Sequence, residues 1–290
     1  MEYLMTYGWA ILVIAVVLGV LFQLGVFGGA NLAPKATPGS CEVQHTTSGA
    51  SLEGMCQGEM PQYVAAFGGG TITIPYSTTL PAYGPFTVSM WFMTTNSPSI
   101  TYDAWLMNTR GQGGSDGTYD MQLCGGGWCG VTSGIHGDIG TGCANCWLST
   151  SVNYQFTFSQ GTWYHVTTEF TGTGWSVFLD GKNVSSGTYS SNTPSMLDSS
   201  DNIQIGAVAG GSVPFEGDIA NVQVYNTSLS AAEILALYQE GIGGAPVRPQ
   251  NIAGWWPLNG NANDYSGNNN NGQGTNIGYS SFWTNGYSAP

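Results

Sequence analysis

Basic side chains are scarce in this chain. Lys35, Arg110, Lys182 and Arg248 are all the Lys and Arg in 290 residues, against 17 Asp and Glu, for a formal charge of −13. Nucleic-acid binding needs a basic footprint to displace counterions from phosphates, so that class is excluded. Charge of either sign is thin, at 7% of residues. Catalytic signatures are missing too. No G-x-S-x-G elbow, no H-E-x-x-H helix and no phosphate loop occurs, and His45, His136 and His165 are scattered. Glu216 and Asp218 fall on one face of a strand as i and i+2, yet nothing else in the sequence makes them a catalytic pair. The chain reads as a non-enzyme.

Gly, Ser, Thr, Asn and aromatic residues take the place of charge. Asn183-Val-Ser and Asn226-Thr-Ser are acceptor triplets for N-glycans. Six cysteines, an even number, suit an oxidising compartment. Cys41 and Cys56 stand apart and pair most simply with each other. Cys124, Cys129, Cys143 and Cys146 allow three pairings, and their spacing superficially matches a four-thiolate zinc site. In a Gly-rich exported loop, disulfides are the better reading. Oxygen-rich loops make calcium a candidate ion at Asp116 and Asp120 and at Asp264, with Asp198 and Asp201 in a similar loop. None has EF-hand spacing, and Asx turns explain them equally well.

One long apolar run opens the chain, "MEYLMTYGWAILVIAVVLGVLFQLGVF". About 17–25 apolar residues span a bilayer, so it predicts a long hydrophobic helix over 1–27. A secretory signal peptide carries a basic n-region and a shorter core, and neither is present. Glu2 costs energy inside a membrane but is favoured at a helix N-terminus by the macrodipole. Ala15 and Gly19 form a small-xxx-small pair that lets helices approach closely.

Residues 28–61 predict a linker, beginning "GGANLAPKATPGS" and holding Cys41 and Cys56. From 62 onward short strands dominate. "FTVSMWFM" alternates, with Phe86, Val88, Met90 and Phe92 on one face. "TWYHVTTEF" alternates likewise, and "WSVFLDGKNV" carries the Asp180-Gly181 hairpin signal. Strands at this spacing without alternating helices predict an antiparallel all-β sandwich or barrel. A short surface helix follows in "SLSAAEILALYQEG", where Ser230 and Glu233 make a capping box.

Two resemblances rest on these residues. The N-terminal run, particularly Glu2 to Trp9, resembles the helix of archaeal type IV pilin-like proteins. That resemblance implies a membrane-inserted precursor whose helix moves into a filament core, with Glu2 pairing a neighbour's N-terminal amine. "FTVSMWFMT", "GTWYHVTTEFTGTGWSVFLDGKNVSSGTY" and "NIQIGAVAGGSVPFEGDIANVQVYNTSLSAAEILALY" resemble strands of laminin-G-like, concanavalin-A-like jelly rolls. Related glucanases carry an E-x-D-x-x-E motif that this chain lacks. Relatives often have an acidic pair where Ala220-Asn221 stands here, which weakens a calcium site at that position. "NIAGWWPLNGNANDYSGNNNNGQG" (251–274) resembles the opening strand of such a domain, placed at the wrong end.

The expectation is therefore a mainly β protein. A long N-terminal hydrophobic helix (1–27) and a linker (28–61) precede a circularly permuted jelly roll (62–290), with 251–274 as its displaced first strand. The expected function is a structural subunit of an extracellular filament that self-associates through the helix residues Glu2, Ala15 and Gly19. Its head would bind glycans or a host-cell surface, with no partnership to nucleic acid. The alternatives are a membrane-anchored monomeric lectin-like protein and a secreted glycanase.

Overall fold

The computed structural model describes residues 41–282, except 55, 57–59, 96–103, 111–117, 126–128, 190–192, 199–200 and 208–212, together with Val13, Ile14 and Val16. The chain divides into two units, 1–37 and 38–290, and the second holds the fold.

That fold starts with a hairpin inside the expected linker. β1 (Glu42–Thr46) pairs antiparallel with β2 (Gly49–Glu53), and a Cys41–Cys56 disulfide brackets them. The hairpin holds because Cys41 and Val43 turn into a small core with Phe178, Leu229, Ile234 and Trp255. Ala50, Leu52 and Cys56 pack against the same small core from the hairpin side.

The main strands are β3 (Tyr63–Ile74), β4 (Phe86–Thr94), β5 (Ala104–Asn108), β6 (Asp120–Gly125), β7 (Ser133–Gly140), β8 (Trp147–Ser149) and β9 (Tyr154–Gln155). They continue with β10 (Trp163–Phe170), β11 (Gly174–Leu179), β12 (Lys182–Thr188), β13 (Ile203–Ile205) and β14 (Glu216–Tyr225). After helix α1 (Ala231–Glu240) come β15 (Ile252–Trp256) and β16 (Gln273–Ser281). Among the described residues, fourteen of these strands join one antiparallel sheet in the order β12-β11-β10-β4-β14-β3-β13-β5-β6-β7-β8, with β15 on β14, β16 on β3 and β9 on β7. The long β3 carries the sheet across both layers, since it pairs β14 through Ala65–Gly68 and β13 through Ile72–Ile74. The sheet therefore curls on itself as a jelly-roll sandwich.

Alternation decides what lies inside. Phe86, Val88, Met90 and Phe92 of β4 meet Tyr164, Val166 and Phe170 of β10 in the main core, each large side chain contributing about 1.5–3 kcal/mol by burial. The opposite face of β4 is also covered, where Trp91 stacks on Tyr238 of α1 at 5.7 Å. α1 is capped by Ser230 and Glu233, which satisfy each other's backbone donors, and it buries Ile234 and Leu237. The β11–β12 turn places Asp180 (φ 49) and Gly181 (φ 73) in the left-handed region that suits the strand twist.

The expected architecture needs correction at its front. Among the described residues of 38–290 the fold has one α-helix, of ten residues, and no helix among the described residues is long and apolar enough to cross a membrane. At 1.5 Å per residue, α1 covers about half of a hydrocarbon layer roughly 30 Å thick. The molecule is mainly β, a curled antiparallel sandwich with one short helix, rather than a long apolar helix carrying a sandwich. Residues 1–27, with Glu2, Ala15 and Gly19, lie outside the described residues apart from Val13, Ile14 and Val16, which are helical.

Candidate functional site

β6 and β7 alternate in the same way. Met121 and Leu123 of β6, with Ile135 and Ile139 of β7, enter the main core. Their neighbours Asp120, Gln122, His136 and Asp138 therefore share the other face. Register sets Asp120 directly opposite Asp138 and Gln122 opposite His136. Gly137 lets the strands close at this point, because a Cβ there would stand 2.8 Å from the Asp120 carbonyl oxygen.

Two like charges facing each other across a ladder repel. Arg110 resolves the conflict from just past the end of β5, where the neighbouring Thr109 is pinned to the Tyr119 carbonyl at 3.0 Å. Its guanidinium lies 2.5 Å from Asp120 and also bonds Asp138. The same guanidinium packs on two indoles, 4.6 Å from the Trp147 ring centre and 5.4 Å from Trp105. Its Nη2 is shared by the two carboxylates, while its Nε is buried without a hydrogen-bond partner.

His136 completes the group. Its Nε2 faces Asp138 Oδ1 at 3.3 Å and its Nδ1 faces Asn153 Oδ1 at 2.6 Å. Both ring nitrogens meet oxygen acceptors, so the ring is best satisfied with both protons on. Burial opposes that charge, yet the hydrogen bond and charge of Asp138, aided by Asp120 and Asn153, raise His136 above its usual value. Asp120 moves further, as burial pushes its carboxyl up to about 7 against the pull of Arg110.

These residues line a cleft of about 350 Å³. Trp105, Arg110, Gln122, His136 and Asp138 form its sheet side, and Cys129, Gly130, Thr150, Ser151 and Asn153 form its loops. Disulfides shape those loops. Cys124–Cys129 closes the loop leaving β6, and Cys143–Cys146 closes the turn into β8 that delivers Trp147. Gln122 Oε1 and Arg110 Nε are both buried without a hydrogen-bond partner behind the cleft surface.

The other sequence candidates fall elsewhere. Asp264 serves its own loop, accepting hydrogen bonds from the backbone nitrogens of Trp255, Ser266 and Asn270. Asp116 lies outside the described residues, and Asp120 is held by Arg110. Among the described residues no group of three or more His, Cys, Asp and Glu is placed to hold a metal. The four cysteines of the zinc alternative are two disulfides. Asn183 and Asn226 are exposed. Glu216 is exposed and Asp218 buried near Ser280, away from the cleft residues. His165 sits inside, on Ser89 Oγ at 2.7 Å, and burial drives it down to about 3. His45 holds the Ser266 carbonyl at 2.8 Å.

Sequence reasoning did not assemble Arg110, Gln122, Asp138 and Asn153. A signal was present in the polar positions of "DMQLCG" and "GIHGDIG", two apolar-alternating strands whose polar faces include three ionisable groups.

A model of the concanavalin A-like lectin/glucanases superfamily matches residues 67–235, more than half of the chain. The chain belongs to that superfamily. Among solved structures, a proposed carbohydrate binding protein from Bacteroides ovatus superposes with a TM-score of 0.56 at 15% identity. The match covers 80% of this chain and 63% of that one, so the chain spans less than two thirds of the relative's length. A heptameric SAP-like pentraxin from Limulus polyphemus gives a TM-score of 0.47 at 12% identity, over 65% of this chain and 86% of its own. Domain 4 of an extracellular GH43 arabinanase from Geobacillus stearothermophilus, in complex with arabinotriose, gives 0.40 at 16%, over 69% and 82%. At 15% identity the Bacteroides ovatus superposition shows a shared jelly-roll fold alone. Among proteins of curated function, none matches.

Proposed function

We propose that this superfamily member is an extracellular glycan-binding module, and that its ligand enters the cleft on β5, β6 and β7. The observation that carries the reading is the composition of that cleft: an indole, Trp105, beside the fixed polar side chains of Arg110, Gln122, His136, Asp138 and Asn153. A few well-placed polar groups beside an aromatic surface is the usual make-up of a small-ligand site. Superfamily membership and the carbohydrate binding proposed for the Bacteroides ovatus protein agree with it. Three disulfides suit an exported chain.

The module binds without cleaving. A glycosidase needs one carboxyl to donate a proton and another to attack or activate water. Asp120 and Asp138 face each other, but Asp120 is 1% exposed and tied to Arg110. An acid so placed cannot reach a glycosidic oxygen. A glycan array read together with a hydrolysis assay on the same hits tests both halves: binding without products is expected, and reducing-end release would make the protein a glycanase.

A surface-filament role is a second reading, supported by the pilin-like sequence from Glu2 to Trp9 alone. There the glycan-binding module would be displayed along the filament. Electron microscopy of expressing cells tests it, and an absence of filaments that depend on this chain leaves an unassembled surface lectin.

A further inference from the structure

We propose that the Cys143–Cys146 bridge is a thiol–disulfide exchange site open to an external dithiol, and that its reduction releases the β8 edge of the cleft. The two cysteines stand in "CANC" on the β7–β8 turn, at the Cys-x-x-Cys spacing of reversible dithiols. Exposure separates this bridge from the other two. Cys143 is exposed and Cys146 half-buried, whereas Cys41 is 4% exposed and Cys124 fully buried. Cys124 also lies opposite Gly134 inside the β6–β7 ladder. Exchange needs a thiolate to reach a sulfur, so access favours the Cys143–Cys146 bridge. Loop length points the same way. A bridge and the fold stabilise each other reciprocally, so the bridge that restricts the unfolded chain least is the one that folding protects least. For separations of 15 and 3, chain entropy protects Cys41–Cys56 about tenfold more strongly than Cys143–Cys146.

A thiolate of the dithiol attacks the exposed Cys143 Sγ, forming a mixed disulfide and releasing Cys146 as a thiolate. The second thiol of the reagent, as a thiolate, attacks the reagent sulfur of the mixed disulfide, closes a cyclic disulfide and releases Cys143. Two electrons pass to the protein, and the two protons given up by the dithiol settle on Cys143 and Cys146. The Thr141 hydroxyl, 3.6 Å from Cys143 Sγ, is placed to donate to the Cys143 thiolate. Trp147 is next in the chain and packs 4.6 Å from the Arg110 guanidinium, and Thr150 and Ser151 beyond it line the cleft. β8 has only three residues, at the end of the sheet, and pairs with β7 through Ile139 with Ser149 and Gly140 with Trp147. So short an edge strand depends on its staple. Without the bridge the turn keeps two backbone hydrogen bonds, from Thr141 to the Cys146 carbonyl at 2.9 Å and from Cys146 to the Cys143 carbonyl at 3.0 Å. Ile139 and Val152, on either side, remain in the main core. Reduction therefore loosens 143–151 locally and leaves the sandwich folded. Its effect on ligand binding rests on the glycan-binding reading; the thiol chemistry does not.

The test treats the full, folded chain with a graded series of dithiothreitol, alkylates the freed thiols and maps them by mass spectrometry. Cys143 and Cys146 should be labelled at about tenfold lower reductant than any other cysteine. Amide hydrogen exchange of the selectively reduced protein should rise about tenfold over 147–153 and stay unchanged in β4 and β10, and reoxidation should reverse the rise. Earlier or simultaneous reduction of Cys41–Cys56 or Cys124–Cys129 overturns the exchange site. Unchanged amide exchange over 147–153 overturns the release of β8. Calorimetry with a glycan that the oxidised protein binds reads the consequence for the cleft, where affinity should fall about tenfold on reduction. Equal affinity in the two redox states overturns control of the cleft and leaves the glycan-binding reading standing. Absence of any glycan hit removes that reading and the control with it, while labelling and amide exchange, which need no ligand and no variant, still decide the site.

Discussion

Asp120 and Asp138 stand opposite each other as direct cross-strand partners, and Arg110 contacts both. The chain has four Lys and Arg residues, and it commits one of them, largely buried, to this pair. Removing one partner of a buried ion pair leaves charge without compensation, at a cost of about 3–5 kcal/mol. Arg110→Met should lower the thermal midpoint by that equivalent. Adding Asp120→Asn to the same chain should restore part of the loss, because the repulsion then disappears. A calorimetric scan of the three proteins checks it, and equal destabilisation in the single and double variants would argue against a shared network.

The pH profile contains two opposing slopes. Asp120 is raised in the folded state to about 7, so its contribution is present at low pH and is lost as pH rises from about 4 to about 7. His136, also raised, acts in the same sense, with its contribution present below its unfolded value and lost as pH rises through the folded one. His165 is lowered to about 3, so the folded state takes up fewer protons than the unfolded one, and stability falls as pH drops from about 6.5 towards 3. Between about pH 4 and 6.5 these effects oppose each other, and the wild-type protein should vary little there. Asp120→Asn should become more stable as pH rises across that window, and His165→Gln less stable. Urea midpoints at pH 4, 5 and 6.5 measure the slopes directly; the same sign in both variants would show that other groups dominate.

Local pattern was far easier to read in the sequence than the site. The alternation of "FTVSMWFM" and "TWYHVTTEF", the Asp180-Gly181 turn and the Ser230–Glu233 cap are signals carried within a few residues, and they lie in β4, β10, the β11–β12 turn and α1. The cleft depends instead on the register between β6 and β7, which the intervening loop sets, and on Arg110 arriving from outside either strand. One residue of slip would send Asp120 and Gln122 into the core. The hairpin at 42–53 was hidden for another reason: Val43 is its one fully buried apolar residue, too little to make a pattern. The long apolar helix expected over 1–27 has no counterpart in the described fold.

Loop length separates the disulfides by their effect on stability. Cys41–Cys56 spans a separation of 15, for which constraint of the unfolded chain contributes about 3 kcal/mol. Cys143–Cys146 spans 3 and restricts far less chain entropy. Cys41→Ala/Cys56→Ala should therefore cost about 3 kcal/mol by urea denaturation, and Cys143→Ala/Cys146→Ala much less. The second pair should instead reduce ligand affinity, because its turn holds Trp147 on Arg110. A larger stability loss from the short bridge than from the long one would reverse this assignment.

The tail offers the most direct test of how the sandwich is completed. Ile252–Trp256 pairs antiparallel with Val222–Tyr225, and Gln273–Ser281 pairs with β3. Trp256 is fully buried in the main core and donates its indole N–H to the Asn270 carbonyl at 2.8 Å. Trp255 sits on the other face and donates to Asn221 Oδ1 at 2.7 Å, while the Asn221 amide holds the Gly244 carbonyl at 2.9 Å. Deleting 251–290 would strip β14 of a partner, open the core at Trp256 and leave the buried Asn221 short of a donor. Trp256→Ala alone should cost about 3–5 kcal/mol. The deleted chain should lose its cooperative urea transition and its solubility, and adding a 251–290 peptide should restore both if the strand acts as a displaced first strand of the jelly roll. A soluble, cooperatively folded chain without 251–290 would show that the tail decorates the sandwich rather than completing it.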